Sequence, residues 1–395
     1  MWSGSILDQT PPARGEPHLA RPRRLFELDA LRALAIIFIV VHHLIDYAYT
    51  YFSLPESIYY IDFHLFPVFF FGLALFFFVS GYAIYYNNQT VGTKRAVGGF
   101  LKKRAIRIYP LYWIAIAAFI VLGIGAWGHN TAWIIAQICG AQGLLAPRFG
   151  MPVITLWFIG VILLFYLIYP LVVSISNTSK RLVLALLMPL LLFIVLRLAF
   201  NLVDFRFFVY YALFFGGVVA SKYDVLYRYP ENLSSITISA LLLIFALVFI
   251  ASVSPFDAQQ QEFFYSGLNT SASPLTTSSV FFIILVDVLG LLFVYITFSL
   301  SRLMRPSISR AARTAISSIA FSSYCVYLFH RPFFELFIDA LRVTHLVSLQ
   351  KIVLLVTCGI PLIFILGYAL QRGWDNLLAK VVSRRQPRRR RAARI

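Results

Sequence analysis

Leu31-Arg32-Ala33-Leu34-Ala35-Ile36-Ile37-Phe38-Ile39-Val40-Val41-His42-His43-Leu44 is the stretch on which the reading of this chain turns. It is an apolar span carrying an arginine and, eleven residues later, a histidine. Eleven helical residues make about three turns, so Arg32 and His43 share a face, roughly 16 Å apart along the axis. A span keeps an ionisable side chain only where that side chain faces protein or a water-filled cavity. With Arg32 near one membrane edge and His43 towards the midplane, the helix suits a channel with a basic entrance and a proton-handling group at its end.

The rest of the chain carries the same signature. Of 395 residues, 60% are apolar and only 13% charged, with a mean hydropathy of +0.80. A soluble domain cannot hide that much apolar surface, so the fold class is all-α and polytopic. Ten spans are predicted: 29–50, 64–86, 108–127, 152–175, 182–200, 207–221, 234–252, 279–300, 314–330 and 350–372. The sixth is short. The apolar piece 131–146 is broken by Gly140 and Gly143 and is expected to form an extra re-entrant or interfacial helix rather than an eleventh span. Residues 1–25, rich in proline and arginine, read as a cytoplasmic tail, 26–372 as the transmembrane domain and 373–395 as a basic cytoplasmic tail. No internal repeat supports an inverted-repeat transporter architecture.

The basic residues test this topology. Ten spans with the N-terminus inside place 26 of the 34 lysines and arginines in inner segments. Only four fall in outer ones: Arg148, Arg206, Arg331 and Arg342. That bias fits the positive-inside rule and predicts both termini to be cytoplasmic. It also accounts for the net charge of +18 without nucleic acid. The clusters beside spans, including Arg384-Arg385-Gln386-Pro387-Arg388-Arg389-Arg390-Arg391, suit anionic lipid head groups instead. Cys139, Cys325 and Cys358 are scattered, with neither metal spacing nor a disulfide framework.

Several short motifs could carry chemistry. Arg104 and Arg107, within Lys102-Lys103-Arg104-Ala105-Ile106-Arg107-Ile108-Tyr109-Pro110, point the same way on a helix. Paired guanidinium groups suit phosphate oxygens, although positive-inside charge alone also explains them. Tyr109, Tyr112 and Trp113 fit an interfacial aromatic belt. Ser80-Gly81, inside an aromatic run, reads on its own as close helix packing. Asp46, one turn beyond His43, either orients that imidazole or is a solvated residue at the helix end. His42 faces about 100° away from His43 and is the poorer candidate.

Taken together these elements resemble acyltransferase family 3. The resemblance rests on Asp29-Ala30-Leu31-Arg32 with His43, Phe77-Phe78-Val79-Ser80-Gly81, and Arg104-Ala105-Ile106-Arg107-Ile108-Tyr109-Pro110. It continues through Leu156-Trp157-Phe158 with Phe165-Tyr166-Leu167-Ile168-Tyr169-Pro170, and Tyr324-Cys325-Val326-Tyr327-Leu328-Phe329-His330-Arg331-Pro332. It implies transfer of an acyl group, usually acetyl, from cytoplasmic acyl-CoA to an extracytoplasmic hydroxyl, usually on a carbohydrate. No metal is implied. It makes His43 and Arg32 the catalytic pair, Arg104 and Arg107 the holders of the CoA phosphates, and Ser80-Gly81 the flank of the acyl-CoA path. Asp46, Trp157, Tyr324 and His330 stand as supporting residues, His330 at the same outer level as His64. Two departures matter. Many members carry an acidic residue after the fourth motif, and 157–164 has none. Larger members add an extracytoplasmic hydrolase-like domain, so this chain is expected to acylate its acceptor directly or with a separate partner. The competing reading is a proton-coupled transporter or flippase for a glycan or glycolipid, which explains neither the arginine pair nor the ordered motifs. The expected location is the plasma (inner) membrane.

Overall fold

A computed structural model describes residues 25–62, 68–125, 131–176, 178–228, 272–392 and a few positions between 237 and 245, with side chains up to 380. Span 234–252, loop 253–278 and His64 fall largely or wholly outside the described residues. The regular elements among the described residues are all helices: α1 (Phe26–Phe52), α2 (Glu56–Tyr60), α3 (Val68–Asn87), α4 (Lys94–Val121), α5 (Thr131–Ile138), α6 (Gln142–Leu145) and α7 (Trp157–Ile175). They continue as α8 (Ser179–Phe200), α9 (Phe205–Lys222), α10 (Val225–Arg228), α11 (Thr277–Met304), α12 (Arg310–Arg342), α13 (Ser348–Leu354) and α14 (Ile360–Ala392). Seven helices among the described residues are long and apolar enough to cross a membrane, the last formed by α13, a π-helical turn and α14 together. The expected short sixth span is α9, 18 residues long and buried on nearly all sides.

Two boundaries differ from the hydropathy reading for identifiable reasons. α4 starts at Lys94, where the Thr93 side chain accepts from the Ala96 N–H, so Arg104 and Arg107 lie well inside one continuous helix. α12 runs twelve residues past the apolar segment 314–330, because Pro332 is tolerated within it and charged residues continue on its exposed face.

The centre of the bundle is α3 against α9. Gly81 lies directly against the Phe214 carbonyl of α9, and Gly217 of α9 against the Phe78 carbonyl of α3, so neither position has room for a Cβ. Close backbone approach through small residues is how helices associate where no hydrophobic gradient drives them together. Around this crossing Phe77 stacks on Tyr210 at 4.5 Å and Phe165 on Phe214 at 4.9 Å. α8, by contrast, exposes Leu184, Leu187, Leu191 and Val195, the face expected towards lipid.

Segment 131–146 forms no span. α5 starts beyond the end of α4 and returns alongside it, until the Cys139 carbonyl meets the Tyr109 hydroxyl at 2.7 Å. Tyr109 lies twelve residues, roughly 18 Å, back from the end of α4. The Tyr112 hydroxyl and Trp113 Nε1 donate to the carbonyls of Gln137 and Ile138 at 2.6 and 3.0 Å. The three residues expected to form an interfacial belt therefore satisfy the orphan carbonyls at the C-terminus of α5, a requirement wherever a helix ends away from water. Beyond it, Gly143 touches Gly160 of α7. The Gly143 and Leu144 carbonyls accept from the Asp204 and Val203 N–H groups, which fixes the entry to α9 at the same depth.

Candidate active site

Two of the cavities along α1 form the candidate site, and consecutive residues of α7 face one each. The first, about 540 Å³, is lined by Arg32, Ser80, Arg104, Arg107, Phe158 and Tyr324 among others. The second, about 360 Å³, is lined by His42, His43, Asp46, Trp157, Arg206 and Arg331 among others. Tyr327 of α12 borders both. Its ring packs on Phe158 at 4.9 Å and its hydroxyl donates to the Thr155 carbonyl, so it forms part of the wall between them. Arg32 and His43 thus line separate chambers rather than the two ends of one open channel.

The first chamber is basic. Arg104, partly buried, lies with its guanidinium 5.5 Å from the Phe100 ring and 5.7 Å from the Tyr166 ring, and its Nε has no protein partner. Arg107, one turn on, is exposed beside it, and Lys103 completes the rim. Tyr324 is held by a 2.8 Å hydrogen bond from its hydroxyl to the Ile108 carbonyl, which ties α12 to α4. Ser80 borders this chamber, whereas Gly81 turns away from it into the α9 crossing.

The second chamber holds a cluster of imidazoles. His43 lies 4.9 Å, ring to ring, from both His42 and His330. His42 Nδ1 is 2.7 Å from Asp62 Oδ2, with both side chains buried. His330 is fully buried behind His43, its Nδ1 held by the carbonyls of Tyr327 and Val326 at 2.7 and 3.2 Å. Arg331 Nη2 is 2.8 Å from His43 Nδ1 and 3.6 Å from Asp46 Oδ2. Asp46 is therefore coupled to His43 through a guanidinium, neither touching the imidazole nor isolated in solvent. Arg206, paired in two hydrogen bonds with Asp204 at 2.8 and 2.6 Å, lies 4.1 Å over the Trp157 ring on the opposite wall.

Sequence reasoning missed four members of this chamber. Arg206 and Arg331 are only 5% and 7% exposed and line the chamber, so they are not solvated loop charges. His42, set aside on helical angle, borders the same chamber because Asp62 draws its ring there. Tyr327 lay inside a quoted motif without a role. Arg331 alone carried a usable signal, since it follows His330 directly.

Chemically, a basic chamber that can hold phosphates adjoins a chamber whose imidazoles can move a proton, across one aromatic wall. A family model described as an acyltransferase domain matches residues 25–372, nearly the whole chain. No curated protein and no solved structure matches it. The chain belongs to acyltransferase family 3 and is an integral membrane acyltransferase.

Proposed function

We propose that this membrane acyltransferase transfers an acyl group, in the first instance acetyl, from cytoplasmic acyl-CoA to a hydroxyl of an extracytoplasmic carbohydrate or glycolipid, in the plasma membrane. The observation that carries the reading is the shared Tyr327 wall between the arginine chamber and the His43 chamber. Arg104 and Arg107 supply forked donors for the anionic nucleotide end of the donor, and the partly buried setting of Arg104 strengthens such bonds. The pantetheine arm then runs past Ser80 and Arg32 and brings the thioester to the wall. An acceptor enters the second chamber from the far side, which Tyr59 and Trp157 help to line. His43 takes the hydroxyl proton as the oxygen bonds to the thioester carbonyl carbon. The carbon–sulfur bond breaks, and the departing CoA thiolate takes the proton back from the imidazole.

The test is purified protein in nanodiscs with acetyl-labelled CoA, scored for label lost to water or gained by a hydroxyl acceptor. His43→Ala should reduce turnover ~10²–10⁴-fold at saturating donor while leaving donor binding intact. An enzyme lacking His43 that works within a few-fold of the parent would overturn the proton-transfer role. Absence of any acyl-CoA binding would overturn the reading as a whole. Mass spectrometry of cell-envelope extracts, scored for the mass gain of one acetyl that depends on this chain, would then identify the acceptor.

A further inference from the structure

The imidazoles of the second chamber are all held at Nδ1, but by partners of opposite character. His42 meets a carboxylate oxygen and His330 meets two carbonyl oxygens. Such oxygens accept, so these rings donate from Nδ1, and in their neutral forms the lone pair sits on Nε2. His43 is reversed. Its Nδ1 lies 2.8 Å from a guanidinium nitrogen of Arg331, and a guanidinium has donors only. The His43 Nδ1 must therefore be the acceptor, with the ring proton on Nε2. The one basic lone pair of His43 is already occupied.

A general base has to offer its lone pair within hydrogen-bond reach of the proton it removes. In this arrangement His43 accepts nothing from a substrate hydroxyl until Arg331 withdraws. A second seat for Arg331 is within reach. The guanidinium nitrogen that donates to His43 is also 3.6 Å from Asp46 Oδ2, and Arg331 lies 5.5 Å from the Tyr47 ring. Glu335, one turn along α12 from Arg331, faces the adjoining outer cavity together with Asp46 and Tyr47. Withdrawal has an electrostatic consequence as well. A protonated imidazole beside a guanidinium is disfavoured, so movement towards Asp46 takes a like charge away as His43 gains its proton.

We infer that Arg331 is a positioning residue that caps the reactive lone pair of His43 until an acceptor hydroxyl displaces it towards Asp46, which protects the bound acyl donor from idle hydrolysis. The inference rests on the acyl-transfer reading and concerns the control of that same site. The displaced position is taken by the acceptor hydroxyl. Its proton passes to His43 Nδ1, its oxygen bonds to the thioester carbon, the carbon–sulfur bond breaks, the leaving thiolate takes the proton from His43, and Arg331 returns to the freed lone pair. A lone water fits poorly, because it gains too few contacts in the chamber to offset the bond between Arg331 and His43.

The experiment measures hydrolysis of acetyl-CoA without acceptor by the full chain in nanodiscs. Arg331→Ala should raise the hydrolytic kcat about tenfold with the KM for acetyl-CoA unchanged. Arg331→Lys should restore slow hydrolysis, because an ammonium group also only donates. Should Arg331→Ala unfold, Asp46→Asn serves in its place: it removes the second seat and should lower hydrolysis below that of the parent. Unchanged or reduced hydrolysis in Arg331→Ala with intact donor affinity would overturn the inference. So would fast hydrolysis that survives adding His43→Ala to Arg331→Ala. Failure of the parent protein to bind acetyl-CoA would instead overturn the acyl-transfer reading.

Discussion

At the scale of single residues, the arginines of this chain divide by what their neighbours let them do. Arg104 sits among the Phe100 and Tyr166 rings with no carboxylate partner among the described residues, and a cation in such a setting is best satisfied by an anionic ligand. Arg104→Ala and Arg107→Ala should each weaken acyl-CoA binding by roughly 1.5–3 kcal/mol, about ten- to a hundredfold, with turnover at saturation affected less. Lysine at either position should rescue only in part, since it carries the charge without the planar fork. Titration calorimetry on the purified variants measures this, and unchanged affinity in both would reduce the pair to a topology signal. These two residues were legible in the sequence because their spacing alone puts them on one helix face. Arg206 and Arg331 were not, because their significance comes from Asp204, Trp157, His43 and Asp46, and three of those four stand on other elements. The place of His42 on the chamber wall was not legible for the same reason. A helical wheel fixes a direction, but the choice of partner, here Asp62, is a long-range fact.

At the scale of elements, hydropathy found where helices are most apolar and not where they begin and end. The capped start of α4 and the long run of α12 through Pro332 lie in stretches too charged for a hydropathy window to register. That 131–146 forms no span was legible because Gly140 and Gly143 interrupt an apolar run too short for one. Its anchoring by Tyr109, Tyr112 and Trp113 was not, since an aromatic cluster near a helix end reads equally well as a membrane belt. Ser80 and Gly81 show how one dipeptide can serve two elements: the serine borders the first chamber while the glycine sets the distance between α3 and α9. Gly81→Val should therefore destabilise the fold by about 1–3 kcal/mol through overpacking, since the obstacle is the Phe214 carbonyl and not a flexible side chain. Ser80→Ala should leave stability unchanged. Thermal unfolding in detergent checks both, and a Gly81→Val protein as stable as the parent would mean the crossing tolerates separation.

For the whole molecule, the site sharpens the charge argument for orientation. Arg206 and Arg331 counted against the positive-inside bias as outer loop residues, yet both are buried in the second chamber. Of the four basic residues that the ten-span reading places outside, Arg148 and Arg342 remain, against 26 that it places inside. The helix α12 gives a direct way to measure which side is which. Its 33 residues extend roughly 50 Å, more than the ~30 Å hydrocarbon core, and the ten-span reading expects the segments flanking it on opposite faces. Ser307 precedes it among Arg305, Arg310 and Arg313, and His345 follows it; both are exposed. With Cys139, Cys325 and Cys358 replaced, a cysteine at position 345 should react with an impermeant maleimide added to intact cells. One at position 307 should react only after the membrane is opened. The chamber of Arg104 and Arg107 is also lined by Ala320, Phe321 and Ser323, in the half of α12 nearer Ser307, so the same labelling orients that chamber. The reverse labelling pattern would place the arginine chamber outside the cell, away from acyl-CoA, and the proposed direction of transfer would fall with it.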